Sequence, residues 1–563
     1  MREGRTVVEP AERSEGPPPE RRRDRLLRAA SRKLAQLIGV DPRSLALFRI
    51  LAAVVLLYDV ALRLPDLNVF YAAGGIAPVA LIRDHPIWHW SLHFLDDSPA
   101  FAASLFGLQM VFALALLAGY RTRLATICSW ALLSSLHTRM PFVGNGGDLM
   151  LRLLLFWGMF VPLSQCWSVD AALRRMRSGG SEASAEVDRL RRPVVSIGTA
   201  AMLVQMCSMY FFSGIYKFNA DWLGQDWLGG DALRWAMAFD YFTLPTAHWL
   251  AGYPQLLEWL ALATVWLELL GPLIVFFPWQ TGKLRLAMIA AYAAMHLLIH
   301  LTLTIGLFSI MSMVGWMLFL PPGFWNALRM PAFRPGAHAA LDTAKQDSPA
   351  TRGALRTTFA WSKSTACIAA QLLCGVLLVY TLSHNASPLA LEAMGAAPKH
   401  RAWFRWMIVP TLLENFGQAL TLNQTWNMFR YSPKFDGWFV ARAELADGRV
   451  LDLFWDLPAN DEKPALPSAT FPNNHWRYYF HYLNDNEYAR FRQPAAEFLC
   501  RRWNAAHRAD QQIVRLRLLW YGEIATPAGP SHGADGSFVR HTLAVVETDA
   551  GSAHIGLEEP PRD

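Results

Sequence analysis

Long hydrophobic runs alternate with short, arginine-rich polar segments through the first 385 residues of the chain. The runs fall at 45–62, 100–118, 148–163, 194–216, 255–277, 284–320 and 366–382. A hydrocarbon core about 30 Å thick needs about 20 apolar residues in helix to cross it, so the pattern predicts transmembrane helices. Residues 284–320 suffice for two, 284–300 and 303–320. Residues 124–140 form a hairpin with 148–163, although Ser134, Ser135, His137 and Arg139 make 124–140 polar for a span. The expectation is an all-α polytopic membrane bundle of nine spans.

The polar segments orient that bundle. Arg21, Arg22, Arg23, Arg25, Arg28, Arg32 and Lys33 precede the first run against one acid, Asp24, which predicts a cytoplasmic N-terminus. Threading the nine spans from there puts Arg121 and Arg123, the 174–192 arginines, Lys283 with Arg285, and the 329–363 cluster on the inner side. Residues 1–40 read as a basic, disordered cytoplasmic tail without a cleavable signal, and 41–385 as the membrane domain. Residues 386–422 read as an interfacial linker, since 404–420 carry Arg405, Glu414 and Asn415. Were that segment to span, everything after it would be cytoplasmic. Residues 423–563 read as a small extramembrane α+β domain on the periplasmic side of a bacterial inner membrane. Its predicted elements are two strands in 438–455 joined at Asp447-Gly448, a helix at 486–506, and a strand pair at 511–524 and 537–548.

Composition narrows the class. Of 563 residues 53% are hydrophobic and 17% charged, against about 25% charged in soluble domains. An ordinary cytosolic enzyme, a disulfide-stapled secreted domain and a disordered protein are excluded. The net charge of +7 sits in topology-determining loops, so no nucleic-acid partner is expected; the partner is the bilayer. Cys128, Cys166, Cys207, Cys367 and Cys374 lie in or beside apolar segments and Cys500 in a polar one, so no disulfide framework is implied.

Ionisable residues inside spans are the candidate chemistry. Asp59 and Arg63, four apart, can pair on one helical face, with Asp66 just beyond; this reads as a neutralised helix end. Asn145-Gly146-Gly147-Asp148 reads either as a turn with a helix cap or as a ligand-facing half-helix end. His85, His89 and His93, and separately His296 and His300, recur at helical spacing. Neither set has a clear third ligand, so no metal is expected, and His296 reads as a buried hydrogen-bonding or proton-transferring group. The most informative stretch, Tyr210 to Trp222, places Lys217 where a span ends on the outer side, before Trp222, Trp227 and Trp235. The lysine is either an interfacial, snorkelling side chain or a partly desolvated amine serving as a base.

At this stretch the chain resembles vitamin K-dependent γ-glutamyl carboxylase and its bacterial relatives with a horizontally transferred transmembrane (HTTM) domain. Tyr210 to Trp222 is similar to the family's lysine motif. In the same order, Arg49 through Pro78, Trp167-Ser168-Val169-Asp170, and His296 with Ile305-Gly306-Leu307-Phe308-Ser309 resemble further family segments, over residues 42–325. Residues 426–438 resemble the tail of bacterial HTTM proteins. The resemblance implies a reduced naphthoquinone (vitamin K or menaquinol-like) as cofactor, with oxygen and carbon dioxide as co-substrates. It implies Lys217 and His296 as catalytic residues, Tyr210, Phe211, Trp222, His300 and Phe308 around the quinone, and a peptide or protein substrate on the outer face. One departure is Gln165, where the carboxylase has a histidine; another is the short region after Asn423. Quinol oxygenation is compatible with both changes, whereas carboxylation loses a proton-exchanging group. A non-catalytic membrane scaffold and a transporter using Asp148, Arg152, Glu258 and Glu268 are the competing readings.

Overall fold

A computed structural model describes residues 22–83, 90–177, 192–218, 221–222, 225–330, 365–396, 409–430, 435–524, 538–548 and 555–556. The membrane portion contains helices α1 (Pro42–Arg63), α2 (Pro99–Ala118), α3 (Thr122–Arg139), α4 (Gly146–Gly158), α5 (Ile197–Phe218), α6 (Pro254–Ile274), α7 (Thr281–Thr302), α8 (Phe308–Trp316) and α9 (Thr365–Ala396). Local chemistry sets several starts: Asp41 caps α1 and Ser98 caps α2, each followed by a proline at the first helical position.

Among the described residues, six helical segments are long and apolar enough to cross a membrane: Pro42–Phe70, Pro99–Ala118, Ile197–Phe218, Pro254–Ile274, Thr281–Thr302 and Ile368–Glu392. The expected nine is thus not reached on length and composition. The remaining three segments do form helices, but α4 has 13 residues, α8 continues only to Phe319, and α3 is diluted by its serines, histidine and arginine. Much of α3 and α4 is buried inside the protein rather than presented to lipid.

The disorder expected for residues 1–40 does not hold for Arg22–Ile38, which is a helix. It docks on the α6–α7 turn: Gln36 Nε2 donates to Thr281 Oγ1 at 2.9 Å, Arg285 donates to the Leu37 carbonyl at 2.5 Å, and Lys33 reaches the Pro278 carbonyl. The interfacial helix is observed only as α10 (Thr411–Ala419), and residues 404–408 of that expectation lie outside the described residues.

The tail is built on a six-stranded antiparallel sheet of β1 (Phe435–Leu445), β2 (Val450–Asp452), β3 (Leu457–Pro458), β4 (Ile513–Ile524), β5 (Val539–Thr548) and β6 (Ile555–Gly556), ordered β3-β2-β1-β4-β5-β6. Helices α11 (Asn474–Asn484) and α12 (Arg492–Ala506) accompany it. The β1–β2 turn has Gly448 at φ +86°, a conformation glycine adopts without a Cβ penalty. Cys500 is buried in this domain, and the described cysteines are free.

α11 fastens the tail to the membrane portion. Tyr479 donates to the Ile76 carbonyl at 3.0 Å, and Asn473 Nδ2 donates to Asp66 at 2.7 Å. Phe142 packs against Phe491 with ring centroids 4.6 Å apart. Lys463 completes the junction, with its ammonium 2.6 Å from Asp240, 2.9 Å from Asp436 and 2.5 Å from Glu523. Burial pushes the Asp436 carboxyl up to about 6, while the three acids hold the Lys463 ammonium above its ordinary range.

Candidate functional site

Tyr210, Ser213 and Lys217 lie three and four residues apart, so α5 presents them on one face. That face meets α6 closely because residue 214 is glycine. A Cβ there would stand 3.0 Å from the Leu269 side chain and 3.1 Å from its backbone nitrogen. The close approach brings Glu268 onto Lys217. The ammonium donates to both carboxylate oxygens, at 2.8 and 2.6 Å, and to Ser213 Oγ at 2.7 Å. Trp227 covers it, with its ring centroid 5.2 Å from Nζ. Lys217 is 2% exposed and Glu268 6%, so Lys217 is no snorkelling side chain and Trp227 no lipid-facing belt residue. Pro272 interrupts α6, depriving the Glu268 carbonyl of its usual helical donor, and Tyr292 Oη donates to the neighbouring Leu267 carbonyl at 2.8 Å.

His296 approaches from α7. Trp316 Nε1 donates to Tyr210 Oη at 3.0 Å, which directs the tyrosine proton to His296 Nε2 at 2.6 Å. The imidazole proton then belongs on Nδ1, a tautomer assigned from this network. Nδ1 is buried without a protein hydrogen-bond partner among the described residues.

Lys217, Glu268, Tyr210, His296, Phe308 and Trp227 line one cavity of about 310 Å³, within the size range of small-molecule sites. Its remaining lining is almost wholly apolar. Ala263 of α6 and Ala294 of α7 also line it and are exposed on the outside of the bundle. The cavity lining thus includes exposed small residues on two helices of membrane-spanning length.

The expected residues divide accordingly. Lys217, His296, Tyr210 and Phe308 converge on this cavity. Phe211 is partly buried against Phe212 and does not line it; His300 is exposed and does not line it either. The side chain of Trp222, and His85 and His89, lie outside the described residues. Glu268 is the residue that role assignment from sequence missed. It was visible only as an acid inside an apolar span, and its spacing from Lys217 carries no helical signature.

A second, larger cavity of about 710 Å³ abuts the first and shares Ala236, Leu303, Phe308, Met428 and Phe429 with it. It lies between the membrane portion and the tail, with Asn145 on one side and Tyr478, His481 and Tyr482 of α11 on the other. Burial lowers the His481 imidazole to about 4, keeping it neutral near pH 7. Phe429, in the shared wall, has φ +56°, a strained conformation for a bulky residue. Its carbonyl accepts from Trp227 Nε1 at 3.2 Å, which ties the wall to the lysine's cover.

Asn145 is held in turn by the other buried charges. Its side chain accepts from Gly147 N and its backbone N–H donates to Asp148 Oδ2, each at 2.8 Å, a reciprocal cap at the start of α4. Asp148 Oδ1 pairs with Arg63 at 2.9 Å, and Arg63 also pairs with Asp59 at 2.8 Å and donates to Tyr71 Oη at 2.7 Å. Asp59, His137 and Asp148 offer ligand atoms within 4.8 Å of one another, but the Arg63 guanidinium lies on both carboxylates. Asp148, Arg152 and Glu258 line neither of these two cavities, whereas Glu268 lines the first. Gln165 lies between α4 and α5, at the opposite end of α5 from Lys217, a helix of 22 residues and thus about 33 Å long.

The sequence model of the HTTM domain family matches residues 39–325 of this chain, 287 of its 563 residues. No curated protein and no solved structure matches the chain.

Proposed function

The chain belongs to the HTTM domain family, and from that premise we propose that it is a membrane enzyme oxygenating a reduced naphthoquinone in the α5–α6–α7 cavity. The observation that carries this reading is a buried Lys217–Glu268 pair bordering an apolar space whose lining includes exposed alanines of α6 and α7, where we place its opening to the lipid. A lipid-soluble quinol suits that opening, and a buried ion pair bordering an apolar cavity provides a base without admitting bulk water. The family resemblance to vitamin K-dependent carboxylase supplies the quinone class.

Overall, quinol and dioxygen become quinone epoxide and water. Lys217 keeps its ammonium, because Glu268 holds it at hydrogen-bond distance on both oxygens. Glu268 therefore takes the quinol proton, and Lys217 stabilises the oxygen left negative. His296 offers its unpartnered Nδ1–H to the other side of the ring system, fixed in that tautomer by Tyr210 and Trp316. Phe308 and Trp227 confine the ring and exclude water.

Carboxylation of a glutamyl substrate, using carbon dioxide, is the second reading. It is favoured by the cavity under α11, which would let a peptide side chain reach the Phe308–Met428–Phe429 wall from outside the membrane. The basic segments support a cytoplasmic N-terminus and a periplasmic tail in a bacterial inner membrane.

The test is mass-spectrometric detection of epoxide after purified protein in lipid receives naphthoquinol and oxygen, beside a folded Lys217→Ala control. Epoxide formed only with Lys217 supports the reading. Equal traces in both, with vitamin K and menaquinol forms alike, sink it and favour a non-catalytic scaffold.

A further inference from the structure

The cavity under α11 differs from the one it abuts in the character of its lining. Among the described residues no lysine, arginine, aspartate or glutamate lines it, and aromatic rings supply much of its wall. Phe242, ahead of α6, meets the Tyr478 and His481 rings at 5.6 and 5.3 Å. Its carbonyl accepts from Thr304 N at 2.8 Å, which fixes that side of the wall. Tyr478, His481 and Tyr482 lie three and four residues apart, so one face of α11 presents them. All three line the cavity and are partly exposed, and none of their side chains hydrogen-bonds to another described residue. Desolvation raises both phenols above their ordinary range, so they remain O–H donors beside the neutral His481 imidazole.

A carboxylate entering this lining meets no counter-charge. The cations next to it in the chain are committed elsewhere. Arg430, after Phe429, pairs with Glu392 at 2.5 Å. Arg477, before Tyr478, donates to Thr304 Oγ1 at 2.6 Å and to Asn474 and the Ser468 carbonyl. Burying an unpaired charge is costly, whereas an aromatic ring placed among rings gains beyond its buried area. The phenols donate and the neutral imidazole keeps one acceptor nitrogen, and a hydroxyl group can answer both. A free amino acid would bring an ammonium and a carboxylate of its own. A residue within a chain brings neutral amides instead.

We infer that the cavity under α11 takes an uncharged, hydroxyl-bearing aromatic side chain, that of tyrosine, from a polypeptide approaching between the tail and the membrane portion. A peptide reaching the Phe308–Met428–Phe429 wall is kept from the second reading above; the glutamyl side chain is not. As the substrate of the neighbouring site, the tyrosyl group rests on the proposed oxygenation; as a ligand of this cavity it does not.

Saturation-transfer NMR on the full chain in lipid nanodiscs, without quinol, tests it with three probes. They are N-acetyltyrosinamide, its analogue with a carboxylate replacing the hydroxyl, and N-acetylglutamic acid α-amide. The tyrosine probe is expected to bind, and both carboxylates to bind about ten-fold more weakly or less. Thr425, an exposed lining residue, allows the cavity to be filled from its edge: Thr425→Trp should abolish the tyrosine signal and leave only partition into lipid. Tyr482→Phe keeps the ring against Phe142 and Tyr488 and should weaken the tyrosine probe several-fold through the lost hydroxyl. Tyrosine binding that survives both substitutions unchanged, or no binding by that probe, overturns the inference. Equal or tighter binding of either carboxylate also overturns it, the glutamyl probe then restoring the second reading. Because no epoxide is measured, failure here leaves the oxygenation proposal standing, and absence of epoxide leaves this cavity's ligand standing.

Discussion

Among the cations buried in the membrane portion, Arg63 at 1% exposure and Lys217 at 2% are each paired with buried acids. Their surroundings differ. Arg63 is enclosed by Asp59, Asp148 and Tyr71, and its neighbours bind the start of α4. Lys217 and Glu268 border a cavity. Burial and pairing alone do not mark a reaction site, because a structural clamp has both. Adjoining space, with a second buried polar group facing it, is what separates the Lys217 region from the Arg63 region.

Removing the guanidinium should break this comparison most severely. Arg63→Met leaves two carboxylates buried without a counter-charge, a loss of about 3–5 kcal/mol. We expect a large fall in the thermal unfolding midpoint and poor accumulation in the membrane; a variant as stable as wild type would contradict the clamp. Glu268→Gln acts on the other region. It also leaves a buried charge, Lys217, without its counter-charge, so the unfolding midpoint should fall here too; unlike Arg63→Met, the protein that remains folded should lose quinol oxygenation about 10²- to 10⁴-fold, the range for loss of a positioned base. Folding and rate measured on one preparation separate the two outcomes.

A smaller effect belongs to the junction. Lys463→Met exposes Asp240, Asp436 and Glu523 to one another and should cost about 1.5–3 kcal/mol in tail docking. Because these acids hold ligand oxygens within 4.8 Å of one another, millimolar calcium should restore part of that loss, read as renewed protease protection. The pH dependence has a definite sign. Burial raises the Asp436 carboxyl to about 6 from 3.8, so its contribution to stability is fully present below pH 3.8 and declines as pH rises through 6. The Lys463 contribution runs later, present below its ordinary 10.5 and lost only in strong alkali. The smallest effect is at Gly448→Ala, where an added Cβ meets nothing within 4 Å and only the positive φ is penalised, by about 1 kcal/mol in tail unfolding.

The sequence made the membrane class, the Asp59–Arg63 pair, the Asn145–Asp148 cap and the strand–turn–strand at Asp447-Gly448 legible, since each is written in local spacing. Lys217 was legible as a polar residue at an apolar helix end. Glu268 was not, because its partner lies 51 positions away and only the glycine at 214 lets the helices meet closely enough to join them. The nine-span count is not confirmed for a related physical reason: α4 and α8 are short, α3 is diluted by polar side chains, and hydropathy does not distinguish burial inside protein from contact with lipid. Phe211 is next to Tyr210 in sequence, but its helical phase turns it away from the cavity; His300 follows His296 by one turn on the same helix yet is exposed and does not line the cavity.

The central claim is that a lipid-soluble quinol occupies the α5–α6–α7 cavity through the opening at Ala263 and Ala294. The most direct measurement is photolabelling of the protein in lipid with an azido-naphthoquinone, followed by peptide mapping. The account predicts label on residues 209–217, 257–268 and 291–299, competed by unlabelled quinone and lost when Ala263→Trp closes the opening. Label distributed over the lipid-facing surface, or unchanged in Ala263→Trp, would contradict it.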